Sequence, residues 1–200
     1  MNTEIKKIIK KNIVSSVEQF IEAVNDNEML FLSREHDEYG TVVHIKSKLI
    51  WETTETLRAN FKIETPQNEN FYCFVIDLNL SYGIIPEELN LNTLEAVKID
   101  KETKWSSGDF KYLVRGYLMS KEDKSILENF DGQLKDIAED DKKWKTYISN
   151  AFKMYKEIAN ELAQMNIWKG LNATKDFKIG IFDHDGKTYK TKNNGLQQWL

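Results

Sequence analysis

Apolar residues in the first 24 positions recur every three or four residues, with lysine and glutamate between them. They are Ile5, Ile8, Ile9, Ile13, Val17, Phe20, Ile21 and Val24. An α-helix turns once every 3.6 residues, so this spacing puts them on one stripe of a helix. The pattern predicts an amphipathic helix over residues 3–24, ended by the backbone-bonding residues Asn25-Asp26-Asn27.

The pattern changes from helical to extended in the middle of the chain. Residues 43–61 keep helical spacing and predict a second helix. Residues 70–80 are apolar, aromatic and β-branched almost without interruption, which is typical of a central strand. Pro86 has no N–H, so residues 84–86 are predicted to extend a neighbouring edge strand, and Thr93 predicts the start of a short capped helix.

Two long helices are predicted in the C-terminal half. Ser120 precedes Lys121-Glu122-Asp123, an N-cap followed by acids in the first turn, and this helix should run to about residue 137 with a break near Gly132. Asp140-Asp141 begins the next helix, which ends near Gly170 and carries a broad aromatic and aliphatic face. We expect it to be the main core helix.

A β-hairpin is predicted near the C-terminus. Apolar Phe177–Phe182 and polar Lys187–Lys190 flank the turn sequence Asp183-His184-Asp185-Gly186. Helices and strands do not alternate strictly along the chain, which disfavours a doubly wound parallel sheet. The sequence predicts an α+β fold: a small antiparallel or mixed sheet packed against several helices, with a long N-terminal helix and a C-terminal hairpin.

The length and charge of the chain limit its organisation and partners. At 200 residues it fits one globular domain, within which residues 1–44 could form an N-terminal helical extension. Its formal net charge is −4, with acids and bases both abundant, so no general attraction draws it to phosphate backbones. The sequence therefore predicts no nucleic-acid partner.

A cytoplasmic location is predicted by exclusion. No apolar segment approaches the roughly 20 residues that a membrane-spanning helix needs, and no signal peptide is recognisable, so no membrane partner is expected. Cys73 is the only cysteine, which rules out an intramolecular disulfide. It lies in an apolar run, where a thiol most often behaves as a small buried hydrophobe.

The hairpin turn also holds the densest group of potential metal ligands, Asp183, His184 and Asp185. A hard cation or a general base could use them, but Asp-Gly favours an ordinary solvated turn, and no zinc or EF-hand spacing accompanies them. The sequence assigns no catalytic, cofactor-binding or metal-binding residue. If a site assembles from distant residues, the first candidates are Asp183 and His184 with one of Glu87, Glu88 or Asp109.

Motifs for nucleotide binding and nucleophilic catalysis are missing. The nine glycines are scattered, and neither G-x-x-x-x-G-K-[ST] nor G-x-G-x-x-G occurs. The segment Ser81-Tyr82-Gly83 lacks the glycine pattern of a nucleophile elbow, and Cys73 has no histidine near it in sequence. No cofactor is predicted.

Charge is distributed unevenly along the chain. Residues 25–109 are rich in acids, whereas the C-terminal segment is enriched in lysine. These lysines are Lys169, Lys175, Lys178, Lys187, Lys190 and Lys192. The asymmetry could serve docking to another protein, or it could reflect two ordinary solvated faces.

Three short segments resemble an uncharacterised bacterial family known only as a domain of unknown function. They are Phe71–Ile76, Trp105–Tyr112 and Ile179–Asp185, and the resemblance spans roughly residues 45–200. Relatives of such families are similar to immunity proteins of bacterial toxin systems, which bind and neutralise a cognate toxin without doing chemistry. The resemblance implies a bacterial protein-binding factor.

Three functional hypotheses follow. The leading one is a non-enzymatic protein-binding factor of the immunity type, with another protein as its partner. The second is a small enzyme whose site assembles from distant residues. The third is a structural subunit of an assembly, which would expose an apolar patch on the N-terminal helix.

Overall fold

The computed structural model describes residues 3–25, 31–32, 63–64, 69–99, 110, 112–114 and 119–191. The helices are α1 (Thr3–Asn25), α2 (Leu94–Ile99), α3 (Lys121–Leu134) and α4 (Asp141–Leu162), with 3₁₀ turns at Lys135–Ile137 and Asn166–Gly170. The strands are β1 (Phe31–Leu32), β2 (Ile63–Glu64), β3 (Phe71–Leu78), β4 (Glu88–Thr93), β5 (Tyr112–Val114), β6 (Ala173–Asp183) and β7 (Thr188–Lys190). The helix predicted over residues 43–61 lies outside the described residues.

Within the described part of the chain, the main sheet has five strands in the order β5-β4-β3-β6-β7. Its one parallel pair is β3 with β6, and the other neighbours are antiparallel, so the sheet is mixed. A separate antiparallel pair joins β1 to β2. The predicted α+β class, with its N-terminal helix and C-terminal hairpin, is confirmed.

The strand β3 is central and its eight residues are all buried. A strand covered on both faces needs apolar residues in succession rather than in alternation, which is why this segment is almost continuously apolar. The predicted central strand is confirmed, within bounds of Phe71–Leu78.

The apolar stripe of α1 lies inside the main core. Ile5, Ile9, Ile13, Val17 and Phe20 are all buried, in one cluster with side chains of the sheet and of α4. The N-terminal helix is therefore packed into the same core as the rest of the described chain.

Lysines of α1 reach across to α4 beside this core. Lys6 Nζ lies 2.8 Å from Glu157 and 2.7 Å from Glu161, and Lys10 Nζ lies 2.5 Å from Glu161. These hydrogen bonds lower the pKa of both glutamates. Because the pairs are partly exposed, each stabilises the fold by only about 0.2–1 kcal/mol.

Side chains cap three helices where the sequence predicted it. Ser120 Oγ accepts from the backbone N–H of Asp123, and Asp140 Oδ1 accepts from Lys142 N and Lys143 N. Thr93 Oγ1 accepts from Ala96 N at the start of α2. Each cap satisfies a helix N–H that has no partner within the helix.

One predicted strand is wrong and another was missed. Residues 84–86 form no strand but belong to the turn after β3, and the next strand is β4 (Glu88–Thr93). This strand lies between β3 and β5 and is not an edge. Its two asparagines, Asn90 and Asn92, obscure its alternating pattern, because asparagine is uncommon in strands.

Two predicted helix boundaries also need correction. Gly132 does not break α3, since Leu127 and Leu134 are buried on either side and hold the helix to the core. The helix α4 ends at Leu162 rather than near Gly170. Trp168, buried in the following 3₁₀ turn, donates from Nε1 to the Leu162 carbonyl at 2.8 Å and so closes the end of the helix.

The other face of the sheet has a smaller apolar cluster formed by Tyr72, Cys73, Val75 and Phe110. Burial raises the pKa of the Cys73 thiol to about 12. A thiol with so high a pKa is a poor nucleophile at neutral pH, because the thiolate is the reactive form. The expectation that Cys73 is a buried hydrophobe is confirmed.

Candidate functional site

The densest group of polar side chains lies where β3 and β6 end. Because these strands are parallel, their C-terminal ends meet at one edge of the sheet, with Asp77 opposite Phe182 and Leu78 opposite Asp183. Ligands of open sheets commonly bind outside the C-terminal ends of parallel strands. The hairpin turn that follows β6 therefore lies against the turn that follows β3.

The turn after β3 is held by hydrogen bonds from several directions. Within it, Tyr82 N and Gly83 N donate to the Asn79 carbonyl at 2.9 and 3.2 Å. From α3, Asp131 Oδ1 accepts from Ile84 N at 2.9 Å, and from α4 the Tyr155 hydroxyl donates to the Ile84 carbonyl. The turn is thus fixed to both long C-terminal helices.

His184 lies between two carboxylates. Its Nε2 is 3.3 Å from Asp77 Oδ1 and 3.4 Å from Glu87 Oε2. The side chain is 48% exposed, whereas Asp77 beneath it is buried. The His184 backbone N–H donates to the Leu78 carbonyl at 3.0 Å, and its ring packs edge-on against Phe182.

Asp183, the preceding residue, points to the opposite face and is fully buried. Its Oδ1 accepts from Leu80 N at 3.2 Å. Burial raises the pKa of Asp183; the hydrogen bond from Leu80 and the charge of Lys187 offset part of this rise. The carboxylate therefore anchors the turn from inside the core rather than facing solvent.

Asp185 joins the hairpin turn to the turn after β3 on the surface. The Ser81 hydroxyl donates to Asp185 Oδ2 at 2.5 Å. Gly186 adopts a φ of 87°, a conformation that glycine tolerates far better than other residues, and its N–H donates to the Asp183 carbonyl at 2.8 Å. The Asp-Gly pair thus forms a turn, as its sequence predicts.

Tyr82 projects from the tip of the turn after β3 and is 86% exposed. Large apolar side chains with such exposure are uncommon among the described residues, where Leu94 at 38% is the other example. We call the side chains of Ser81, Tyr82, Glu87, His184 and Asp185 the Tyr82 surface. It combines one exposed aromatic ring with carboxylates and an imidazole.

An imidazole beside two carboxylates is an arrangement that general acid–base chemistry uses. Among the described side chains, no group of three or more histidines, cysteines, aspartates or glutamates could hold a metal ion.

Of the three acidic residues that the sequence suggested as partners of His184, Glu87 lies beside its imidazole. Glu88 instead lies opposite Asp77 across the β3–β4 pair. Asp183 and His184 are neighbours but face opposite sides of the sheet, so the three turn residues do not form one ligand set. Asp109 lies outside the described residues.

Sequence reasoning missed Asp77, Tyr82 and Asp131. Asp77 interrupts the apolar run of β3, and a carboxylate in a central strand is a usable signal because burying it is costly. Tyr82 and Asp131 carry no such signal, since their environment depends on contacts between distant segments.

The described residues include part of the lysine-rich C-terminal segment. Lys169, Lys175, Lys187 and Lys190 are exposed, and Lys192 lies outside the described part of the chain. Most of the acidic segment at residues 25–109 is likewise outside it.

No protein-family model matches the chain, and comparisons with curated proteins and with solved structures found no match. In the described residues, none of the helices has the length and apolarity that crossing a membrane requires.

Proposed function

We propose that this chain is a protein-binding factor and that the Tyr82 surface contacts its partner. The observation that carries the proposal is the 86% exposure of Tyr82 on a turn that hydrogen bonds fix to β6, α3 and α4. A partner that covers this ring would gain free energy from removing its apolar surface from water. Tyrosine is enriched among residues that dominate binding energy at protein interfaces.

The rigidity of the turn favours binding. A flexible loop loses conformational freedom when a partner orders it, and that loss weakens affinity. Here the backbone of residues 79–84 is already ordered by bonds to Asn79, Asp131 and Asp183. A partner would meet a tyrosine whose backbone is already in position.

The charges around Tyr82 favour a cationic partner. His184 Nε2 lies 3.3 Å from Asp77 and 3.4 Å from Glu87, and Asp185 accepts a hydrogen bond from Ser81, the neighbour of Tyr82 in the chain. A lysine or arginine side chain could pair with the carboxylates and stack on the Tyr82 face. The partner surface should therefore carry basic residues.

The resemblance to families related to immunity proteins supplies the biological setting. In that setting the partner is a toxin, and binding blocks it without chemistry by this chain. Bacterial origin and a cytoplasmic location belong to the same proposal.

The experiment compares capture of partners by three forms of the full chain in extracts of its native host. The first is wild type, and the second carries Tyr82→Ala with Glu87→Gln. The third is a matched control, Leu94→Ala with Glu128→Gln, which also removes one exposed apolar side chain and one exposed carboxylate. We expect a partner bound by wild type and the control but at least about tenfold more weakly by the Tyr82 variant, a loss of about 1.4 kcal/mol.

Salt dependence of the captured complex is the second measurement. If basic residues of the partner meet Glu87 and Asp185, affinity should fall as ionic strength rises. A partner that binds the Tyr82 variant as tightly as wild type would contradict the proposal, as would failure to capture any specific protein.

One observation favours an enzyme as the second candidate function. The buried Asp77 beside Nε2 of the half-exposed His184 has the form of an oriented general base. A screen of metabolites and metals by thermal denaturation tests this idea. A ligand that stabilises wild type but not His184→Ala would support it, and the absence of any stabilising ligand would weaken it.

The third hypothesis, a structural subunit, required an exposed apolar patch on the N-terminal helix. The described apolar side chains of α1 are instead buried or partly buried in the core. This observation gives that hypothesis no support.

A further inference from the structure

The turn after β3 is fixed on both sides of Tyr82. On one side, Leu80 N donates to the buried Asp183 Oδ1 at 3.2 Å. On the other side, Ile84 N donates to Oδ1 of Asp131, a residue of α3, at 2.9 Å. Tyr82 lies midway between these two N–H groups in the chain, so the position of its backbone depends on both carboxylates.

Asp131 also lies very close to the backbone of Gly83. A Cβ atom on Gly83 would be 2.8 Å from Asp131 Oδ2 and 3.2 Å from its carboxyl carbon. Non-bonded heavy atoms attract best at about 3.5–4.0 Å and repel at much shorter distances, so a side chain at position 83 would displace the carboxylate. Asp131 would then lose its hydrogen bond from Ile84. Glycine at position 83 therefore lets the carboxylate reach the turn.

Asp131 occupies a partly buried place that disfavours its charge. Burial raises the pKa of Asp131, the hydrogen bond from Ile84 offsets part of this rise, and the charge of Glu128 adds to it. The ionised carboxylate is therefore less favourable here than in water. A charged side chain at such a place is typical of positions that serve a function besides stability.

We infer that Asp131 is a positioning residue of the Tyr82 surface. Its carboxylate holds the backbone of Gly83 and Ile84 against α3, and the tyrosine that precedes them is thereby presented to the partner. The inference rests on the proposed function, because the turn needs positioning only if it binds a partner. It also makes positions 83 and 131 interdependent, since the carboxylate at one requires glycine at the other.

Amide hydrogen exchange of the free full chain, followed by NMR, tests whether Asp131 holds the turn. Rates are compared with those of β3 amides, so that changes in global stability cancel. In Asp131→Ala the N–H of Ile84 loses its acceptor and should exchange at least about fivefold faster than in wild type. Asp131→Asn should keep exchange slow, since its amide oxygen can still accept, and so should the control Glu128→Ala, which removes an exposed carboxylate of α3. Unchanged exchange of Ile84 in Asp131→Ala would overturn the inference.

Thermal denaturation tests the interdependence of positions 83 and 131. Gly83→Ala should lower Tm by about 3–8 °C, because its Cβ displaces the carboxylate or the turn. The same change made in Asp131→Ala should lower Tm by less than about half as much, since the obstructing oxygen is gone. The control is Gly132→Ala on α3, where a Cβ would meet none of the described residues within 4 Å beyond its own helix, so Tm should not fall. Equal losses of Tm from Gly83→Ala in both backgrounds would contradict the inference.

Capture of the partner by the full chain decides whether this positioning matters for binding. We expect the partner to bind Asp131→Ala at least about threefold more weakly than wild type, and to bind Asp131→Asn and Glu128→Ala as tightly as wild type. If Asp131→Ala binds as tightly as wild type while Tyr82→Ala with Glu87→Gln binds more weakly, the inference is wrong and the proposed function stands. If wild type captures no partner, the proposed function is wrong and the inference falls with it, whatever hydrogen exchange shows.

Discussion

Asp183 and His184 are consecutive residues at the end of β6, but they occupy opposite environments. Asp183 is fully buried on the helix-covered face of the sheet, whereas the side chain of His184 is about half exposed. Successive side chains of a strand point to opposite faces, so one residue anchors a turn from inside while the next faces solvent. The comparison shows that a cluster in sequence need not be a cluster in space.

Replacing each residue by alanine should separate these two roles most strongly. Asp183→Ala leaves the Leu80 N–H buried without an acceptor, so we expect it to lower the free energy of unfolding by about 1–3 kcal/mol. His184→Ala removes a half-exposed contact and should cost less than about 1 kcal/mol. Urea denaturation measures both, and equal losses would show that the distinction is wrong.

The pH dependence of stability sharpens the comparison on the buried side. The pKa of Asp183 is raised in the folded protein, so this carboxyl loses its proton at a lower pH in the unfolded chain than in the folded protein. The contribution of Asp183 to the free energy of unfolding of wild type therefore falls as pH rises through the native pKa. Asp183→Asn does not titrate. Its stability relative to wild type should therefore improve between about pH 4 and pH 7.

Asp123→Asn is the control of opposite sign for that measurement. Hydrogen bonding to Lys11 lowers the pKa of Asp123, so its stabilisation is present at neutral pH and is lost as pH falls through the lowered value. This variant should therefore lose stability relative to wild type as pH rises. The same direction of change in both variants would contradict the assigned shifts.

The smallest effect is expected on the exposed side, from Ser81→Ala. This change removes the surface hydrogen bond to Asp185, and we expect it to alter the free energy of unfolding by no more than about 0.5 kcal/mol. The N–H groups of Tyr82 and Gly83 should keep their protection from hydrogen exchange, because Asn79 still accepts from both. Loss of that protection would mean that the Ser81 contact, and not the buried anchors, orders the turn.

Local signals allowed much of the fold to be predicted from the sequence. Ser120 and Asp140 precede helices that begin where a capping side chain can accept from the backbone, and this requires only neighbouring residues. The β3 strand was recognisable because burial on both faces demands uninterrupted apolarity. The hairpin turn was recognisable from Asp185-Gly186.

Features that depend on distant contacts could not be predicted. Buried Asn92 is tolerated in β4 because its amide donates to the Tyr72 hydroxyl at 3.1 Å, and Tyr72 lies on the neighbouring strand. The pairing of His184 with Asp77 and Glu87 requires the register of β3 with β6. No local pattern specifies a register between segments so far apart.

The parallel pairing of β3 with β6 has a consequence for how the chain folds. The paired residues are roughly a hundred positions apart, and contacts between such distant segments slow folding because a long loop must close before they form. During synthesis, β3 emerges well before residues 173–183 can cover its edge. Until then an apolar strand with open hydrogen-bonding groups is exposed to pairing with other chains, so the newly made protein should be most prone to aggregation in that interval.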